Sequence, residues 1–125
     1  VNNLGVRAGS TWSDSGPAEF ESAFTGNVAV SVRMTQLVLS GMLLRGWGRV
    51  VAITSVWGRE TGGAPAYNAA KAAEISFVKS LAREAASMGV PVRVSSGESG
   101  SAGGAIVMRP IRTRDFNFTS LSDAI

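Results

Sequence analysis

Gly48-Arg49-Val50-Val51-Ala52-Ile53-Thr54-Ser55 is the stretch on which the fold turns. Its middle is an unbroken β-rich apolar run, too continuous for a strand with one wet face, and it predicts a central strand of a parallel sheet. Upstream, Gly46-Trp47-Gly48 closes a helical pattern that opens near Pro17, a residue suited to a first helical turn. Phe20, Phe24, Val28, Val32, Leu37 and Met42 mark the expected buried side of that helix, with an interruption expected near Gly26-Asn27. Before it lies a Gly-, Ser- and Asp-rich loop over residues 6 to 16, and Val1-Asn2-Asn3-Leu4-Gly5 reads as a strand end running into a turn. Downstream of Ser55, a Gly-rich loop over residues 58 to 65 leads to a helix that carries Tyr67 and Lys71 and runs to about Ser87. Its expected apolar stripe is Ala70, Ala73, Ile75, Phe77, Val78 and Leu81. Val92-Arg93-Val94 then reads as one more strand. Strand, helix, strand, helix, strand predicts an α/β fold, a partial Rossmann-like doubly wound parallel sheet with helices on both faces. Ligands of such sheets bind at the carboxyl ends of the strands, where Asn2, Ser55 and the loop before Tyr67 converge.

After Val94 the character changes. Ser95 to Gly104 is almost entirely Ser and Gly and reads as a flexible linker, because Gly97, Gly100, Gly103 and Gly104 lack the GxGxxG spacing and the following helix of a dinucleotide fingerprint. Ala105 to Met108 reads as a brief extended stretch, and Arg109, Arg112 and Arg114 as part of a solvated tail. The expected division is therefore a folded unit over residues 1–94 and a Ser/Gly-rich, basic, poorly ordered tail over 95–125.

Composition narrows the chemistry. A chain of 125 residues with 45% hydrophobic and 17% charged residues has the balance of one globular domain or part of one. A net charge of +3, carried mostly by scattered arginines, does not form the clustered patch expected of a nucleic-acid binder. With no Cys and no His, disulfides, thiolate nucleophiles, Ser-His triads and ordinary zinc sites drop out, and no metal is expected. An acid or base must then be Tyr, Lys or a carboxylate. No apolar run in the sequence approaches the ~18 residues of a membrane span and no signal peptide opens the chain, so neither a membrane partner nor a nucleic acid is expected and the location reads as cytoplasmic. Tyr67 and Lys71 stand four residues apart, on one face of their helix. A phenol is a poor acid or base at neutral pH, and a cation held beside it favours the phenolate. The pair is a candidate proton donor and acceptor.

Taken in order, Asn2-Asn3-Leu4-Gly5, Asn27, the run Gly48 to Ser55, Tyr67 and Lys71 resemble the short-chain dehydrogenase/reductase family over residues 1 to 94. Arg45-Gly46-Trp47-Gly48-Arg49 and Tyr67-Asn68-Ala69-Ala70-Lys71-Ala72-Ala73 look most like its classical subgroup, which includes 3-oxoacyl carrier-protein reductases. The resemblance implies hydride transfer between NADP or NAD and a small-molecule carbonyl or secondary alcohol. It implies catalytic roles for four residues: Tyr67 as general acid or base, Lys71 favouring the phenolate and bonding the nicotinamide ribose, Ser55 donating to the substrate oxygen, and Asn27 holding a water that connects Lys71 to solvent. Asn2, Gly5 and Ile53, with Tyr67 and Lys71, are the implied cofactor contacts. The family's glycine-rich phosphate-binding segment is expected upstream of Asn2, so the chain reads as a fragment whose full-length parent forms a dimer or tetramer. The alternative is a catalytically inactive fragment serving folding or oligomerisation. A third reading, an extended-branch epimerase or dehydratase, shares Tyr67 and Lys71 but fits the Asn27 and Ser55 context less well.

Overall fold

The computed structural model describes residues 1–88, 90, 92–97 and 107–110. Helix α1 spans Pro17–Phe24, a π turn Thr25–Ala29 follows, and α2 spans Val30–Leu44. Strand β1 is Val50–Ser55, α3 is Pro65–Ala86, β2 is Val92–Gly97 and β3 is Val107–Pro110. Pro17 and Pro65 both open their helices, where a missing N–H costs nothing. The interruption expected near Gly26-Asn27 is the π turn.

The sheet order among the described residues is β1-β2-β3, and β1 is bridged on its outer edge by the first residues of the chain. On one side Asn2 N–H donates to Val51 O at 2.7 Å and Ile53 N–H donates to Asn2 O at 2.8 Å, a parallel bridge. On the other, β1 runs parallel to β2, with Val50 opposite Val92 and Ser55 opposite Gly97. Strand β2 continues three residues past the expected end, so Ser95-Ser96-Gly97 is strand and not linker. Backbone pairing with Ile53, Thr54 and Ser55 overrides the weak strand preference of Ser and Gly, because each paired peptide satisfies its polar groups whatever its side chain. Val107–Pro110 pairs antiparallel with β2, Ser96 facing Val107 and Arg93 facing Pro110. The linker glycines Gly100, Gly103 and Gly104, and the tail arginines Arg112 and Arg114, lie outside the described residues.

The lower core joins Val50 and Ala52 of β1 to Val78, Ala82 and Ala85 of α3, with Val90 and Val92, and is flanked by Leu39, Met42 and Leu43 of α2. Both long helices thus contribute to one layer; of the two helix layers in a doubly wound sheet, the described residues supply this one. The helical stretch Pro17–Leu44 is long and apolar enough to cross a membrane by length and composition, which no uninterrupted apolar run in the sequence suggests. Its inner face, however, differs from the expected stripe. Phe24 is 48% and Leu37 60% exposed, whereas Ala23, Asn27, Ser31 and Thr35 are buried. These four recur every fourth residue and form a ladder: Asn27 Nδ2 donates to Ala23 O at 2.7 Å, Ser31 Oγ to Asn27 O at 2.7 Å and Thr35 Oγ1 to Ser31 O at 2.8 Å. A periodicity count weights bulk and apolarity, so it cannot see a buried face made of small polar residues bonding their own helix. On α3, Ala70 and Val78 are buried as expected, while Ala73, Ile75, Phe77 and Leu81 are half-buried.

Candidate active site

The carboxyl end of β1 opens into a cleft of about 280 Å³. Its walls are Asn3, Leu4, Gly5 and Arg7 from the first turn, Ile53, Thr54 and Ser55 from β1, Trp57 from the following 3-10 turn, and Tyr67 and Lys71 from α3. Gly58 permits this approach of turn and helix: a Cβ there would stand 2.8 Å from the carbonyl carbon of Lys71. Gly62, at φ 129°, folds the next loop onto the Trp57 ring, a conformation that side-chain-bearing residues rarely adopt.

Ser55, Tyr67 and Lys71, expected together, are together. Ser55 Oγ accepts from Trp57 N–H at 3.2 Å, which leaves its own O–H to donate elsewhere. Tyr67 is flanked by two cations, the Arg7 guanidinium 5.4 Å and the Lys71 ammonium 5.7 Å from its ring centroid. Lys71 is 1% exposed, and Nζ donates to Leu4 O at 2.7 Å, Ile53 O at 3.2 Å and Glu74 Oε2 at 2.7 Å. An ammonium has three hydrogens, and all three are used. The contacts of Leu4 and Ile53 with Lys71 thus run through their carbonyls, while Gly5 lines the cleft with open space where a Cβ would stand.

Asn2 and Asn27 lie apart from the cleft walls. Asn2 Nδ2 donates to Thr35 Oγ1 at 3.0 Å and so braces the first strand segment against α2. The side chain of Asn27 is fully buried and committed: Nδ2 donates to Val6 O at 2.8 Å and to Ala23 O, and Oδ1 accepts from Val6 N–H at 3.1 Å. It clamps the loop that leads out of the cleft floor. Its link to Lys71 is indirect, from its carbonyl through Ser31 to Glu74. Ser31 and Glu74 carry no mark in a linear reading, because an acid three residues after a lysine in a helix has the form of an ordinary surface pair. Only the packing of α3 against the π turn and α2 buries it. Desolvation raises the Glu74 carboxyl above its ordinary value, opposed by the hydrogen bond and charge of Lys71 and by the hydrogen bond from Ser31. Trp57 and Arg7 were likewise not among the expected site residues.

The family model described as short chain dehydrogenase matches residues 1–108. The chain belongs to the short-chain dehydrogenase family. The match runs beyond Val94, where the sequence motifs of that family fade. Among curated relatives, Nodulation protein G of Azospirillum brasilense is 38% identical over 93 residues, 74% of this chain and 38% of that protein. The 3-oxoacyl-[acyl-carrier-protein] reductase of Escherichia coli K12 is 37% identical over 95 residues, 75% of this chain and 39% of that one. A solved short-chain dehydrogenase/reductase oxidoreductase from Burkholderia thailandensis superposes with a TM-score of 0.74 at 34% identity, covering 78% of this chain and 38% of that one. The chain therefore spans less than two fifths of the length of these family members, and the stretch it spans holds the Tyr67–Lys71 cleft.

Proposed function

We propose that this segment supplies the proton-transfer end of a short-chain dehydrogenase active site, in an oxidoreductase that moves a hydride between NADP or NAD and a carbonyl or secondary alcohol. The observation that carries the reading is the convergence of Ser55, Tyr67 and Lys71 in one cleft at the carboxyl end of β1. The cleft suits the nicotinamide end of the cofactor. Leu4, Gly5 and Ile53 offer an apolar floor, Tyr67 and Lys71 offer donors for ribose hydroxyls, and the volume of about 280 Å³ falls just below the ~300–1,000 Å³ typical of whole small-molecule sites, as suits one end of a dinucleotide. When bound, the cofactor supplies or accepts the hydride. The side chains do the rest. Ser55 donates to the substrate oxygen and steadies the charge that grows on it. Tyr67 gives that oxygen a proton in reduction, or takes one in oxidation. Lys71 supplies the neighbouring positive charge, and bonding a ribose requires it to exchange one present acceptor, for which the 3.2 Å contact to Ile53 O is the weakest. Asn27 holds the floor loop and the π turn in register.

The resemblance to the Escherichia coli reductase favours a 3-oxoacyl thioester as substrate, reduced in the cytoplasm. Exposed Val30, Met34, Leu37 and Val38 on α2 favour self-association into a dimer or tetramer, and also support the second reading, a non-catalytic oligomerisation segment. The deciding experiment assays the complete gene product with NADPH or NADH and a 3-oxoacyl thioester, beside a Tyr67→Phe variant. Turnover that falls about 10²- to 10⁴-fold in the variant, with dinucleotide binding retained, is expected. Turnover retained in the variant sinks the role of Tyr67; no binding and no turnover in the wild type leaves the oligomerisation reading.

A further inference from the structure

Among the described residues, the mechanism leaves one buried ionisable group without a task. Glu74 is fully excluded from solvent, and so is nearly all of Lys71, its partner at 2.7 Å. Its other oxygen, Oε1, lies 3.4 Å from Ser31 Oγ, and the same hydroxyl lies 2.7 Å from Asn27 O. Burying two such charges carries a desolvation penalty that their attraction only partly returns, and a hydrophobic pair of similar volume usually serves stability as well or better. Stability is thus a poor reason for Glu74 to be acidic. Its geometry offers a better one. The ammonium it holds lies 5.7 Å from the Tyr67 ring centroid, and its second oxygen reaches across to Ser31 at the start of α2.

We propose that Glu74 is a positioning residue of the Tyr67–Lys71 pair: it anchors the Lys71 ammonium at the cleft, while its second oxygen rests against the Ser31 hydroxyl, whose single hydrogen goes chiefly to Asn27 O. The proposal rests on the reading of Tyr67 as the acid or base. The groups that face this carboxylate and the ring it serves are Lys71 and Tyr67 on α3, Ser31 on α2 and Arg7 on the first loop. With Glu74 charged, the two cations at the ring are balanced in part by one anion. Neutralising it leaves the cleft more positive, which favours the phenolate form of a nearby phenol and moves activity that depends on it toward lower pH.

The test uses the complete gene product, with Glu74→Gln, Glu74→Asp and Ser31→Ala. Two readouts separate positioning from folding. In NMR of the lysine ammonium groups, the Lys71 signal, assigned by its loss in Lys71→Met, is protected from solvent exchange in the wild type. Glu74→Gln speeds that exchange about tenfold or more, while exposed Lys79 does not change. In turnover, Glu74→Gln lowers kcat about tenfold and moves the pH profile down by about one unit with little change in KM, and Glu74→Asp recovers part of both. Unchanged Lys71 exchange and an unmoved pH profile, with only a lowered Tm, overturn the proposal. If Glu74→Gln does not fold, Ser31→Ala decides: it must move both readouts the same way by less, and no movement overturns the proposal. A wild type without turnover, or turnover retained in Tyr67→Phe, sinks the proposed function instead, and Lys71 exchange still decides for or against Glu74.

Discussion

The contact between the helical stretch Pro17–Leu44 and α3 has two ends of opposite chemistry. Below, Leu39, Met42 and Leu43 pack with Val78, Ala82 and Ala85 over Val50 and Ala52, as in any apolar core. Above, toward the carboxyl end of β1, the same helices meet through Asn27, Ser31, Glu74 and Lys71. The apolar end is held by burial, at about 25 cal/mol per Å² of apolar surface, and tolerates swaps of similar volume. The polar end is held by partners, and each member is costly to remove singly because its neighbour is then left unsatisfied. The lower end supports the sheet; the upper end delivers Tyr67 and Lys71 to the cleft.

That contrast can be broken most severely at Lys71. Lys71→Met leaves Glu74 buried and unpaired, and a loss of about 3–5 kcal/mol is expected in urea melts at pH 7. Asn27→Ala strips Val6 of both side-chain partners, with an expected loss of about 2–3 kcal/mol, and should lower turnover as well as stability because the floor loop loses its clamp. Val78→Ala at the apolar end should cost about 1–3 kcal/mol in the same melts. Its pH–rate profile should match the wild type, and a shifted profile would mean that the two ends are not separate.

Smaller effects sharpen the comparison through pH. Because burial raises the Glu74 carboxyl, the folded chain holds its proton more tightly than the unfolded one. Its contribution to stability is therefore full below the ordinary carboxylate value of ~4.3 and declines as pH rises through the raised folded value. The difference in stability between wild type and Glu74→Gln should follow that slope from pH 4 upward; a flat difference would show that Lys71 has cancelled the burial. Asp14 gives the opposite sign at the surface. Hydrogen bonds from the Ser10 hydroxyl and the Ser10 and Thr11 amides hold its carboxyl well below the usual range, so the turn before α1 keeps its order above that range and loses it only as pH falls through the lowered value. Asp14→Asn should raise amide exchange at Ser10 and Thr11 and leave the rest of the chain alone.

Much of this was legible in the chain itself. The run Val50 to Ser55 announced a buried parallel strand, Pro17 stood at a helix start, and the Tyr67–Lys71 spacing put both groups on one face, whereas Pro65, read as loop, opens its helix. Those features are local, set by propensity and period, and they determine the element order and the cleft's principal side chains. What only the tertiary structure decided was which polar residues lie inside. Ser31 and Glu74 are 43 residues apart, and nothing in either neighbourhood distinguishes a solvated pair from a buried one. Ser95-Ser96-Gly97 read as linker because its strand character comes from the ladder offered by β1 and not from its own side chains. Burial and pairing are properties of what a segment packs against; periodicity records only what the segment could offer.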